Sequence, residues 1–107
     1  MRGLLLPMMA LALIGAGAPP KQSMDPKERT YTITLICSAI AANDNDKAGS
    51  ARSIDAARKM ARALAYSTKR LSSDLGTMAS VVGVQLRDEP ATVDRNRGVC
   101  RQLGLLS

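Results

Sequence analysis

From Ile54 to Val82 the apolar positions return at alternating intervals of three and four: Ile54, Ala57, Ala61, Leu64, Thr68, Leu71, Leu75, Met78 and Val82. An α-helix brings residues at that spacing onto one side, so the middle of the chain is predicted to be amphipathic helix. Arg52, Asp55, Arg58, Lys59, Arg62, Lys69 and Arg70 fall off the stripe, while Ala57 and Ala61 are small enough for a neighbouring helix to come close. The stripe is expected to serve as an intramolecular core seam, with a dimeric coiled coil as the competing use.

Left unbroken from Ala51 to Leu86, such a helix would be about 54 Å long, whereas a compact domain of this size is about 30 Å across. A kink or break is therefore expected. Ser72-Ser73-Asp74-Leu75-Gly76 is its predicted place, because a capping residue is followed there by a glycine.

Flanking segments carry their own signals. Asp25 can cap a helix, Pro26 suits its first position and Glu28 completes a capping box. Tyr31, Ile33 and Leu35 then alternate with threonines at strand period. A lone strand would have nothing to pair with, and Ile36, Ala39 and Ile40 continue the same face at helical spacing, so a helix over 26–42 is predicted. Asn43-Asp44-Asn45-Asp46 reads as a turn that Gly49-Ser50 extends. A last helix is predicted from Pro90 to Leu103, with Val93, Val99, Cys100 and Leu103 on its apolar side and Gly104 ending it.

The N-terminus has a different character. Arg2 precedes an apolar stretch from Leu4 to Ile14, and the small residues Gly15-Ala16-Gly17-Ala18 lead into Pro19-Pro20, the tripartite layout of an export signal. The apolar run Gly3–Ala18 is 16 residues, short of the roughly 20 that cross a bilayer. Cleavage is expected after Gly17, since Pro19 would obstruct a cut after Ala18. This divides the chain into a signal peptide, 1–17, a Pro-rich leader, 18–24, and one small helical domain, 25–107. The abundance of Ala, and of Arg over Lys, points to a GC-rich bacterial source, hence to a periplasmic or extracellular location.

The interior has little aromatic material: the chain contains no Phe and no Trp, and only Tyr31 and Tyr66. Ala, Leu, Ile, Val and Met must build a thin core, which a covalent staple would support. Cys37 and Cys100 are the only cysteines, and an even count in a small exported chain reads as a disulfide. Closing a loop of about 60 residues stabilises by roughly 4 kcal/mol on the chain-entropy estimate. A plain up-and-down packing on one straight long helix would leave the two cysteines about 33 Å apart, far beyond the roughly 7 Å a bridge tolerates. The predicted fold is thus all-α: a small bundle of three or four short helices in a bent or crossing arrangement, closed by the bridge.

Function classes narrow by subtraction. The chain has no His, so the commonest general base and metal ligand is missing, and neither cysteine has an activating partner. There is no nucleophile elbow, P-loop or dinucleotide-binding glycine motif. Asp44, Asp46, Gly49 and Asp55 fit some positions of a calcium loop, but Ala48 and Arg52 occupy ligand positions and the last residue is Asp, not Glu. No enzyme, metal or cofactor is expected.

Net charge is +6, and +5 once Arg2 leaves with the signal. An anionic partner is favoured. Nucleic acid is not expected, because export removes the chain from it and aromatic stacking platforms are absent. Two readings remain. In the first, the protein is an interaction module of the cell envelope that docks a partner through the cationic face of Arg58, Lys59, Arg62, Lys69 and Arg70 together with the 54–82 seam, a homodimer being a further use of that seam. In the second, the same basic helix lies on anionic membrane or a cell-surface polymer, without the interfacial Trp or Phe usual in such helices.

Overall fold

The computed structural model describes residues 24–107; the predicted signal peptide and its cleavage site, and all of the leader but Met24, lie outside the described residues. Among the described residues there are four α-helices and no strand: α1 Pro26–Asn43, α2 Lys47–Ala63, α3 Thr68–Asp88 and α4 Pro90–Gln102.

α1 begins at its predicted cap and proline, without a Glu28 bond to close the capping box. The Asp25 carboxylate accepts the Lys27 N–H at 2.8 Å, and Pro26 takes the first position. The strand-period alternation over 30–36 is nonetheless helix, and burial explains it. α1 touches each of the other three helices, and Tyr31, Thr34, Leu35, Cys37, Ser38, Ala39, Ile40 and Ala41 are all buried. A helix enclosed on most sides needs no single apolar stripe. The buried Thr34 and Ser38 hydroxyls bond within the helix, to the Tyr31 carbonyl at 2.6 Å and to that of Leu35 at 2.8 Å, so neither donor is stranded.

Three helices end by one device. After α1, Asp46 N–H bonds Ala41 C=O and Asn45 N–H bonds Ala42 C=O; after α2, Tyr66 pairs with Ala61 and Ala65 with Arg62; after α4, Leu105 pairs with Cys100 and Gly104 with Arg101. These nested bonds form a Schellman motif, whose penultimate residue sits in the left-handed region. Asn45 (φ 58°), Ala65 (φ 60°) and Gly104 (φ 75°) occupy that place.

Ala65 accounts for one misplaced boundary. The long amphipathic stretch breaks at Leu64–Ser67, not at Ser72–Gly76, which runs uninterrupted through α3. Alanine is a strong helix former and marks no terminus, yet Ser67 caps α3 by accepting the Arg70 N–H at 3.0 Å. A second correction concerns α2, which starts at Lys47. Gly49 and Ser50, read as turn, form its first turn because Asp46 accepts the Gly49 N–H at 2.9 Å.

The interior holds two apolar clusters. Tyr31 and Leu35 meet Ala57, Ala61 and Leu71, flanked by Leu64, Tyr66 and Leu75. Ile40 and Cys37 meet Val82, Val93, Cys100 and Leu106. Met78 packs on both. Cys37 and Cys100 are disulfide-bonded with Cα atoms 5.6 Å apart across a sequence separation of 63. With α3 separated from α2 by a turn and α4 folded back after Glu89, the bridge no longer competes with a straight helix. Arg97 adds a second cross-link, its Nε and a terminal nitrogen reaching the Asp44 carboxylate at 2.8 and 3.0 Å.

Candidate interaction surface

The positive charge of this protein is concentrated. Between Lys47 and Arg70 stand seven cations against one carboxylate, Asp55; the other described residues carry six cations and eight carboxylates. The excess therefore belongs to α2 and the first turn of α3. Because Ser53, Ala57 and Ala61 turn inward, helical geometry sends Arg58, Lys59 and Arg62 outward, and all three are exposed. Asp55 lies among them, 3.1 Å from Lys59 and 3.9 Å from Arg58. Such exposed pairs contribute little and leave both cations accessible. Lys69 is exposed across the α2–α3 turn. A shallow cleft of about 150 Å³ runs along that turn, lined by Arg58, Arg62, Tyr66, Ser67, Thr68 and Leu71.

Arg70 is employed differently from the other four. Its guanidinium lies 3.6 Å from the centre of the Tyr66 ring and its Nε 3.3 Å from Asp74. Asp74 in turn accepts the Tyr31 hydroxyl at 2.8 Å, and the rings of Tyr31 and Tyr66 meet edge to face with centres 5.2 Å apart. The only two aromatic residues of the chain thus come together in one knot that ties α1 to α3. Burial pushes the Tyr31 hydroxyl up to about 12, helped by its bond to the Asp74 carboxylate.

The predicted seam is spent inside. Ala57, Ala61, Leu71 and Val82 are buried, Leu64, Leu75 and Met78 are half-buried against the core, and Ile54 is half-buried. Thr68 alone faces solvent, at the start of α3. The stripe therefore covers α1, and the interruption at Leu64–Ser67 removes the long straight helix a coiled coil would need. Only the cationic part of the predicted docking surface faces outward.

No protein-family model, curated protein or solved structure matches this chain. Its surface chemistry has to be read from its own residues.

The carboxylates of the partial calcium spacing are drawn to separate partners. Asp44 binds Arg97, and Asp55 binds Lys59. Asp46 accepts the Ser107 N–H and hydroxyl, each at 2.7 Å, in addition to Gly49 N–H. Those bonds, the one from the Ser107 backbone foremost, hold its carboxyl down at about 2. Arg52 completes this clasp, donating to Gly104 C=O at 2.9 Å, and Ser53 donates to Leu105 C=O at 2.8 Å. Nothing in the sequence advertised this use of Asp46, Arg52 and Ser53, since their partners lie more than 50 positions away.

Proposed function

We propose that the protein is a non-enzymatic interaction module working outside the cytoplasm, in the periplasm or beyond, where the outward face of α2 docks an acidic surface of a cell-envelope partner. Arg58, Lys59 and Arg62, with Lys69 across the turn, make the contact. The observation that carries this reading is the confinement of the charge excess to α2 and the first turn of α3, seven cations against one carboxylate. A focused patch of one sign speeds encounter with the opposite sign and excludes like-charged partners.

Other features support the same reading. Both cysteines are paired in a disulfide, the state of an oxidising compartment. That pairing leaves no thiol nucleophile, and the chain has no His, so the side chains best suited to covalent or acid–base chemistry are missing. Binding flat on a membrane is disfavoured because, among the described residues, the exposed large apolar side chains, Met24, Val81, Val84, Val99 and Leu103, all lie off α2, which therefore offers cations but no large exposed apolar side chain to bury in lipid. No helix among the described residues is long and apolar enough to cross a membrane.

Retention on immobilised polyglutamate, followed as salt rises, tests the proposal. Arg58→Glu with Arg62→Glu should release the protein at much lower salt, while Arg95→Glu with Arg101→Glu, the same change in net charge made on α4, should elute close to the unaltered protein. Equal losses in both double variants would mean that net charge and not the α2 face is read. Preferential binding to phosphatidylglycerol vesicles over polyglutamate would replace the acidic protein partner with a lipid surface.

A further inference from the structure

The four outward cations differ in what lies beside them. Arg58 and Arg62, one helical turn apart, both line the cleft of about 150 Å³ on the α2–α3 turn, whereas Lys59 and Lys69 do not. Ala61 and Leu71, both buried, and the half-buried Tyr66 give that cleft apolar walls, to which Ser67 and Thr68 add hydroxyls. The Tyr66 wall is fixed, because Arg70 lies 3.6 Å from its ring centre and Tyr31 meets it edge to face. Arg70 is thereby committed. The two cleft arginines are not: Asp55 is 3.9 Å from Arg58, too far for a hydrogen bond, and Arg62 makes no ion pair among the described residues. A guanidinium beside apolar walls is partly shielded from water, so a charge-assisted hydrogen bond made there is stronger than the same bond on open surface.

We propose that this cleft is the anchor of the docking surface, into which one carboxylate side chain of the partner protein inserts between Arg58 and Arg62, while Lys59 and Lys69 steer its approach. The proposal rests on the docking reading above and adds the chemical group that is recognised. A volume of about 150 Å³ is the room of about five waters, enough for the end of one acidic side chain and too little for a stretch of polymer backbone. Two arginines fix the sign of the occupant. The planar guanidinium fork matches the two oxygens of a carboxylate, and this chain makes such a pair elsewhere, where Arg97 holds Asp44 at 2.8 and 3.0 Å. A lysine ammonium is a hydrated point charge on a flexible stem, which adds field without that geometry. Charges at the rim of a contact act chiefly on the association rate, and shielded pairs on the dissociation rate.

Exchanges that conserve charge separate an anchor from a net field. Association and dissociation would be recorded on sparsely immobilised polyglutamate in about 0.1 M salt. Arg58→Lys with Arg62→Lys should leave the association rate within about twofold and raise the dissociation rate at least about fivefold. Its thermal midpoint should not move, which separates lost binding from lost fold. Lys59→Gln with Lys69→Gln should do the reverse, slowing association without speeding dissociation. Thr68→Phe, which adds bulk to the cleft and leaves every charge in place, should speed dissociation as the arginine exchange does. An arginine-to-lysine exchange that behaves like the unaltered protein overturns the anchor and leaves the docking surface standing, whereas an unaltered protein that does not bind polyglutamate at all sinks both. Slower dissociation from polyphosphate than from polyglutamate of equal charge would give the cleft to a phosphoryl group and overturn the carboxylate.

Discussion

Asp46 and Ser107 are 61 positions apart in sequence, yet the Asp46 carboxylate accepts both the N–H and the hydroxyl of Ser107 at 2.7 Å. The same carboxylate caps α2 through Gly49 N–H. One side chain therefore starts a helix and fastens the C-terminal turn to it.

That double duty sets a pH dependence. The Asp46 carboxyl is held at about 2 in the folded protein, below the roughly 3.9 of an unfolded aspartate. A depressed carboxyl stabilises the fold fully above the unfolded value, and the stabilisation fades as pH falls through the folded one. Thermal midpoints of Asp46→Asn should lie below those of the unaltered protein at pH 7, with the gap narrowing between about pH 4 and about pH 2. A gap that stays constant across that window would contradict the assignment.

Tyr31 provides the alkaline counterpart. Its hydroxyl is raised to about 12, against about 10 for an unfolded tyrosine, so its contribution is complete below about pH 10 and is lost as pH rises towards 12. In Tyr66→Phe, which leaves Tyr31 as the single phenol, tyrosinate absorbance should reach half its final value near pH 12. Tyr31→Phe should cost about 0.5–1.5 kcal/mol at neutral pH, read by denaturant titration, through loss of its bond to Asp74.

The disulfide closes a loop with a sequence separation of 63. Cys37→Ala with Cys100→Ala should lower unfolding free energy by about 4 kcal/mol, a large part of the stability of a domain this size. Denaturant melts with and without reductant should reproduce the difference in the unaltered protein and show none in the double variant.

Packing against α1 should be intolerant at the alanines of the seam. Ala57 is fully buried between α1 and α2, and Ala57→Leu should cost about 1–3 kcal/mol by forcing the helices apart. Ile40→Ala, which empties the other cluster, should cost about 2–5 kcal/mol, whereas Val99→Ala, on an exposed side of α4, should stay within about 0.5 kcal/mol.

Two glycines should respond with opposite sign. A Cβ at Gly49 would collide with the Asp46 carboxylate, while one at Gly98 would meet nothing. Gly49→Ala should therefore destabilise the protein by displacing the α2 cap. Gly98→Ala, inside α4, should stabilise it by about 0.5–1 kcal/mol in the same melts.

Much of this fold was legible locally. Asp25-Pro26 announced α1, Pro90 announced α4, Gly104 marked its end, and the three-four spacing of Ile54 to Val82 marked one continuous face. These signals act within a turn or two of helix, through caps, fixed φ and periodicity, which is why residue order alone reveals them. The cations off the stripe were equally plain, because a face turned away from the core is defined once the core-facing side is known.

What the tertiary structure decided was where distant groups meet. The break between α2 and α3 fell at Ala65, since a helix former holds the left-handed position when Tyr66 has Tyr31 and Arg70 to pack against. The threonine-alternating segment became helix because three other helices enclose it. Asp46 found Ser107, Arg97 found Asp44, and Arg70 left the cationic face for an aromatic ring. Arg70 reaches a ring only four positions away, but Tyr31 fixes where that ring lies; in the other cases the energy comes from desolvation and from partners dozens of residues away, contacts that exist only after the chain has closed, so propensity and periodicity carry no record of them.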